Sequence, residues 1–264
     1  MLEIEHVFKT FNPGTITEKR ALTDISLHLA PGDFVTVIGG NGAGKSTMLN
    51  AVAGTFPVDG GSIRIAGKDV TRLPEYRRAA LLGRVFQDPM TGTAATMNLE
   101  ENMALALRRG QRRTLRWGIG ASERARYREA LSTLELGLED RMSSKVGLLS
   151  GGQRQALTLL MATLKKPELL LLDEHTAALD PKTAEKVLNL TQKLITEQGL
   201  TALMVTHNMR DALALGNRTI MMHEGRIILD LDAETKKKMT VEDLLARFGR
   251  ISGKTLDNDR MLLA

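Results

Sequence analysis

One stretch governs what this chain can become: Gly39-Gly40-Asn41-Gly42-Ala43-Gly44-Lys45-Ser46-Thr47. The apolar run Phe34-Val35-Thr36-Val37-Ile38 leads into it, and a helix-forming segment from Ser46 to Ala53 leads out. Strand, glycine loop, helix is the context in which the pattern G-x-x-x-x-G-K-[ST] reads as a phosphate-binding loop rather than as a turn. The glycines let successive backbone N–H groups curl around an anion. The start of the following helix adds the positive end of its dipole. In such a loop Lys45 reaches the β- and γ-phosphates as a point charge, and the Ser46 hydroxyl ligates Mg²⁺.

The rest of the chain supplies alternating strands and helices. Residues 2–8 and 25–29 alternate apolar and polar and predict a small antiparallel sheet ahead of the loop. Gly54 is placed to cap the helix after the loop, and residues 62–65 form another short strand. Residues 84–87 read as a strand ended by Asp88-Pro89. From about 91 to 166 the pattern turns helical, with helices over 98–109 and 122–136 and an arginine-rich loop over 110–120. Ser150 is an N-cap for a helix running to Lys166, where Pro167 stops it. Leu169-Leu170-Leu171-Leu172, bounded by charge, suits a strand buried on both faces. Asp180-Pro181 opens a helix that ends at Gly199. Residues 201–206 form a second buried strand ending in His207, a hairpin turns at His223-Glu224-Gly225, and the tail, with a short helix near 241–248, looks loose. This order predicts an α/β fold with a mostly parallel sheet.

Composition narrows the function classes. With 264 residues and 42% apolar content the chain fills one large domain or a core with an inserted lobe. It has no cysteine, so disulfide frameworks and thiolate zinc sites are excluded. The start, Met1-Leu2-Glu3-Ile4-Glu5, lacks the basic and apolar regions of a signal peptide. No apolar run approaches the roughly 20 residues that span a bilayer. The chain is therefore expected to be soluble, with any membrane role exerted through a docked partner. Net charge is +5, yet residues 108–128 hold eight arginines and a single acid, Glu123. Such asymmetry points to a local acidic partner, with a solvated face as the alternative. Nucleic acid is not expected as a partner, because 3% aromatic content is thin for base stacking.

Cleaving a nucleoside triphosphate needs a phosphate cradle, a metal near the β- and γ-oxygens and an oriented water. Asp173, at the tip of the leucine strand, can hold Mg²⁺, through water given that ion's tenacious hydration shell. Glu174 follows it and is the candidate to polarise the attacking water.

Gly39 to Thr47, Gln87, Leu149-Ser150-Gly151-Gly152-Gln153, Leu169 to Glu174, Ala178-Leu179-Asp180 and His207 together resemble, in identity, order and spacing, the ATP-binding subunit of an ABC transporter. The resemblance implies a P-loop NTPase core with a mostly parallel sheet, an N-terminal antiparallel β subdomain and an inserted α-helical subdomain. It divides the chain into core (1–87 and 168–231), helical signature subdomain (88–167) and tail (232–264). ATP and Mg²⁺ are the implied ligands. Nucleotide contacts fall on Gly39, Asn41, Gly42, Ala43, Gly44, Lys45, Ser46 and Thr47, and metal contacts on Ser46, Gln87 and Asp173. Phe11 sits where the family stacks an aromatic ring on adenine, a contact worth about 1–3 kcal/mol. Gln87 also meets the attacking water, and His207 contacts the γ-phosphate and steadies Glu174, so Glu174, His207 and Gln87 form the catalytic set. Ser150, Gly151, Gly152 and Gln153 bind ATP held by a second copy, and Asp180 couples the two sites.

The chain departs from the family at His175 and Gly40, where proline is common. The partners implied are that second copy, membrane permease subunits and, through the permease, an extracytoplasmic solute-binding protein, at the cytoplasmic face of the membrane. The resemblance points to a bacterial importer of amino acids or similar solutes. A non-transporting ABC ATPase that drives a signalling or cell-division complex is the alternative. Chromosome and repair relatives need long heptad arms, for which this insert is too short.

Overall fold

The computed structural model describes residues 1–111 and 118–252, with side chains up to Arg250. The strand order begins β1 (Leu2–Phe11), β2 (Lys19–Leu29), β3 (Phe34–Ile38), helix α1 (Lys45–Ala53), β4 (Gly60–Ile65), β5 (Lys68–Asp69) and α2 (Glu75–Arg78). It continues with β6 (Leu82–Val85), α3 (Leu99–Leu107), α4 (Ala121–Ser132), a 3₁₀ turn (Val146–Leu148), α5 (Gly151–Leu164), β7 (Leu169–Asp173) and α6 (Pro181–Gln198). Last come β8 (Ala202–Val205), α7 (Met209–Ala214), β9 (Arg218–His223), β10 (Arg226–Leu231), α8 (Ala233–Lys237) and α9 (Val241–Ser252). The chain divides into two units, Met1–Arg78 with the chain from Thr201 onward, and Ala79–Leu200.

The first unit holds an antiparallel sheet in the order β2-β1-β4-β5, and a mixed sheet in which β3 lies between β8 and β9, parallel to both, with β10 antiparallel on β9. All five residues of β3 and all four of β8 are buried, which is why both read as apolar runs without alternation. Helix α1 is fixed at its far end. Gly54 takes φ 83° as its left-handed cap, and the buried Arg78 guanidinium donates to the carbonyls of Ala51 (2.8 Å) and Val52 (2.9 Å). The tail is docked rather than loose: Leu244 and Phe248 of α9 pack into a core with Ile38, Met209, Ala212, Met221 and Leu231.

The second unit pairs β6 and β7 in parallel and buries a helical core of Leu99, Met103, Tyr127, Leu131, Leu157 and Leu160. The strand predicted over 84–87 instead spans Leu82–Val85, so Phe86 and Gln87 lie beyond its end. Helix α3 starts at a capping box between Asn98 and Glu101, and the buried Asn102 amide bridges the Ala94 backbone (N–H at 2.8 Å, carbonyl at 3.1 Å). Helix α4 stops at Ser132, short of the predicted 136.

Three arginines of the window have partners inside this unit. Arg108 grips both carboxylate oxygens of Glu123 at 3.0 Å, and Arg109 donates to the Ala162 (3.1 Å) and Lys165 (2.7 Å) carbonyls at the end of α5. Arg124 pairs with Glu100 at 2.6 Å. All of these partners lie within the second unit. Arg112, Arg113 and Arg116 of the predicted loop lie outside the described residues.

Candidate functional site

In the first unit the loop from Gly39 to Gly44 is a shape only glycine permits at two of its positions. Gly39 has φ 149°, and a Cβ there would sit 2.2 Å from the Met222 carbonyl oxygen. Gly44 has φ 99°, and its Cβ would lie 2.6 Å from the Ala21 carbonyl oxygen. Nothing approaches a Cβ at Gly40, so glycine in place of the family's proline relieves no crowding there. The loop is tied down by Gly225, whose N–H donates to the Ala43 carbonyl at 3.0 Å. The Lys45 side chain is buried and arches back over the loop, its Nζ donating to the carbonyls of Gly39 (2.7 Å) and Gly40 (3.2 Å). Helix α1 begins with no side-chain cap and no acid in its own first turn. Gly39, Asn41, Gly42, Ala43, Gly44, Lys45, Ser46 and Thr47 are thus gathered in one loop and first helical turn.

Two further predicted residues lie in the same unit. Phe11 ends β1 opposite Lys19 and meets Phe56 edge-on, ring centroids 5.1 Å apart. Lys9 Nζ lies 5.5 Å from each ring centre and is held by Asp59 at 2.8 Å. The Lys19 ammonium lies 3.8 Å from where a Cβ on Gly42 would be, so this end of the hairpin stands beside the phosphate loop. His207 follows β8, whose Val205 is the parallel partner of Val37 on β3; both the loop and His207 therefore leave the carboxyl ends of neighbouring strands. Burial raises the Asp211 carboxyl, one turn beyond, and His207 opposes that rise.

In the second unit Asp173 is the last residue of β7, and Gln87 stands two residues past β6, whose Val85 pairs with Leu172. Glu174, immediately after the strand, has φ 44°, a left-handed conformation uncommon for a residue with a Cβ. The buried His175 follows; burial pushes its pKa down to about 4, so the ring is neutral at physiological pH. The signature forms the start of α5. Ser150 Oγ accepts from the Gln153 N–H (3.3 Å), and Gln153 Oε1 accepts from the Ser150 N–H (3.1 Å). Gly152 is packed so tightly that a Cβ would meet Thr183 Cγ2 at 2.2 Å, which brings the signature beside the start of α6. There Asp180 caps the helix, and the Thr183 side chain and N–H hold its carboxyl below the usual range.

Sequence reasoning missed the supporting residues. Arg78, Phe56 and Gln155 carry no local motif; Gln155, fully buried on α5, donates from Nε2 to the Phe86 carbonyl at 3.3 Å, next to Gln87. For Arg78 and Gln155 the one available signal was polarity at positions where the helical pattern asks for apolar side chains.

Residues 22–177 match the family model described as ABC transporter. A tyrosine transport ATP-binding protein from Clostridioides difficile is 42% identical over 94% of this chain and 98% of its own length. An aliphatic sulfonates import ATP-binding protein from Ralstonia nicotianae is 36% identical over 87% of this chain and 72% of that one. A methionine import ATP-binding protein from Corynebacterium efficiens is 34% identical over 86% of this chain and 61% of that one. Among solved structures, a dimeric ATP-binding cassette in a post-hydrolysis state with ADP and phosphate superimposes with TM-score 0.76 at 31% identity, covering 88% of this chain and 99% of that one.

Proposed function

We propose, for a chain that belongs to the ABC transporter family and hydrolyses ATP as the ATP-binding subunit of an import system, that the imported solute is an amino acid or a related small solute. The observation that carries this reading is the end-to-end match, at 42% identity, to a tyrosine transport ATP-binding protein. The methionine import relative falls in the same solute class.

The site residues take roles that follow from their chemistry. The backbone of Gly39 to Gly44 and the start of α1 cradle the phosphates, and Lys45 exchanges its loop carbonyls for phosphate oxygens. Phe11 offers a ring face to adenine, and Asn41, Ala43 and Thr47 complete the loop's contacts. Ser46, Gln87 and Asp173 supply oxygen donors, the set that a hard ion such as Mg²⁺ takes. That ion would neutralise charge on the β- and γ-oxygens. Glu174 polarises the attacking water, and His207 meets the γ-phosphate.

Ser150, Gly151, Gly152 and Gln153 serve ATP bound to a second copy, with Asp180 linking the two sites; the dimeric relatives support this arrangement. The core is taken as residues 1–87 and 168–231, the signature subdomain as 88–167 and the tail as 232–264. The chain acts at the cytoplasmic face through permease subunits fed by a solute-binding protein, a reading supported by its likeness to import ATP-binding proteins. No helix among the described residues is long and apolar enough to cross a membrane.

The test is to isolate the complex from membranes, identify its companions and assay the reconstituted assembly. ATP hydrolysis stimulated by an amino acid with its binding protein is expected. Stimulation only by a sulfonate or polyamine would replace the solute class, and a partner without a permease would remove the import reading.

A further inference from the structure

Glu174 leaves β7 with φ 44°, a conformation that a residue with a Cβ keeps only when its surroundings impose it. Two short turns follow: the Glu174 carbonyl accepts from the Ala177 N–H at 3.0 Å, and the Thr176 carbonyl accepts from the Leu179 N–H at 3.1 Å. The residue between them ties this segment to α6. His175 is 1% exposed, and its Nε2 lies 3.0 Å from Oγ1 of Thr191, sixteen residues along on α6. The Thr191 hydroxyl already donates to the Val187 carbonyl at 2.8 Å. Its hydrogen is therefore committed, its lone pair faces the ring, and the proton of the imidazole sits on Nε2. Nδ1 is then a bare acceptor, buried and with no hydrogen-bond partner among the described residues. One directional bond thus fixes the orientation of the ring.

We propose that His175 is a positioning residue: its Nε2–H···Thr191 bond latches the 174–179 turn onto α6 and so holds the Glu174 carboxylate where it can polarise the attacking water. The proposal rests on the reading of Glu174 as that water's partner. A histidine that merely filled space would contribute to stability alone. A latch acts on the rate of the chemical step, because the carboxylate of a loosened turn no longer spends its time in line with the water.

The experiment measures steady-state ATP hydrolysis by the full-length chain in its membrane complex, with melting temperatures alongside. Thr191→Val keeps the shape at the latch and removes its acceptor; His175→Phe keeps a ring and removes the donor. Each is expected to lower kcat about 10- to 100-fold with KM for ATP nearly unchanged, as displacement of a catalytic group by an ångström does. The double variant should be no slower than the worse single, because both cut one interaction. His175→Gln, whose amide N–H reaches the Nε2 position, should recover most of the rate. Should His175→Phe fail to fold, Thr191→Val still decides the matter. Unchanged kcat in Thr191→Val, a rise in KM that accounts for the loss, or additive losses in the double variant would each overturn the latch. Glu174→Gln separates the two readings. If it turns over normally, Glu174 itself is misassigned; if it is inert while Thr191→Val and His175→Phe run at full speed, only the latch falls.

Discussion

Two glycine-bearing helix starts, one in each unit, solve the same problem in opposite ways. At α1 the glycines are demanded by the backbone: Gly39, Gly42 and Gly44 all have positive φ, and carbonyl oxygens crowd the space beside Gly39 and Gly44. The helix has no side-chain cap. At α5 neither Gly151 nor Gly152 has positive φ, and the small size of Gly152 instead admits Thr183 to the helix start. Ser150 and Gln153 close that start with a reciprocal capping box. The first is a cradle already shaped for an anion. The second is a helix start satisfied by its own side chains. On the proposed reading, in which ATP binds at the first start and the second assists another copy, the chain's own cradle is shaped in advance and the lent start engages only on assembly.

The difference is broken most severely at Lys45. Lys45→Ala removes the ammonium from the cradle and should weaken ATP binding by about 2–4 kcal/mol, roughly 30- to 1000-fold in Kd. Calorimetric titration with a non-hydrolysable nucleotide reads this, and unchanged affinity would take Lys45 out of the cradle. Glu174→Gln should leave that affinity intact, lower turnover by about 10²–10⁴-fold and let an ATP-loaded dimer accumulate on size exclusion. Ser150→Arg sharpens the contrast. A single copy should still bind ATP within about twofold of the unaltered chain, since the lent site is no part of its own cradle, while hydrolysis is lost. If this substitution weakened binding as Lys45→Ala does, the two starts would not be distinct in function.

The parts of this comparison that a reader of the sequence could see are those with local causes. Gly39 and Gly44 answer to their own backbone angles, Ser150 to a cap three residues from its partner, Asp180-Pro181 and Gly199 to the two ends of one helix. The leucine run of β7 is legible because burial on both faces erases alternation. What escaped was set by distant partners. Strand β6 stops at Val85, and the Phe86 carbonyl beyond it is taken by Gln155, sixty-nine residues away. Arg109 looks like surface charge until its two carbonyl partners at the end of α5 are known. The tail reads as loose because the apolar face of α9 is covered by methionines from α7 and β9. His175 has no meaning in sequence without Thr191.

The smallest effect separates two caps of the same unit. Ser150→Ala removes a neutral cap and should cost about 1 kcal/mol, a few degrees in melting temperature. Asp180→Ala removes a charged one, and the two losses should part company with pH. The hydrogen bonds from Thr183, side chain first and N–H second, depress the folded-state pKa of Asp180. A carboxyl whose folded pKa is depressed contributes stability that is fully present above its unfolded value, about 3.9, and lost as pH falls through the lower folded value. The gap in melting temperature between the unaltered chain and Asp180→Ala should therefore be constant from pH 7 to about 5 and narrow below pH 4. The gap for Ser150→Ala should not narrow, because a hydroxyl does not titrate there. A Ser150→Ala gap that closed with acid alongside that of Asp180 would mean that the signature cap is held by a carboxylate, and the capping box with Gln153 would not be what closes the start of α5.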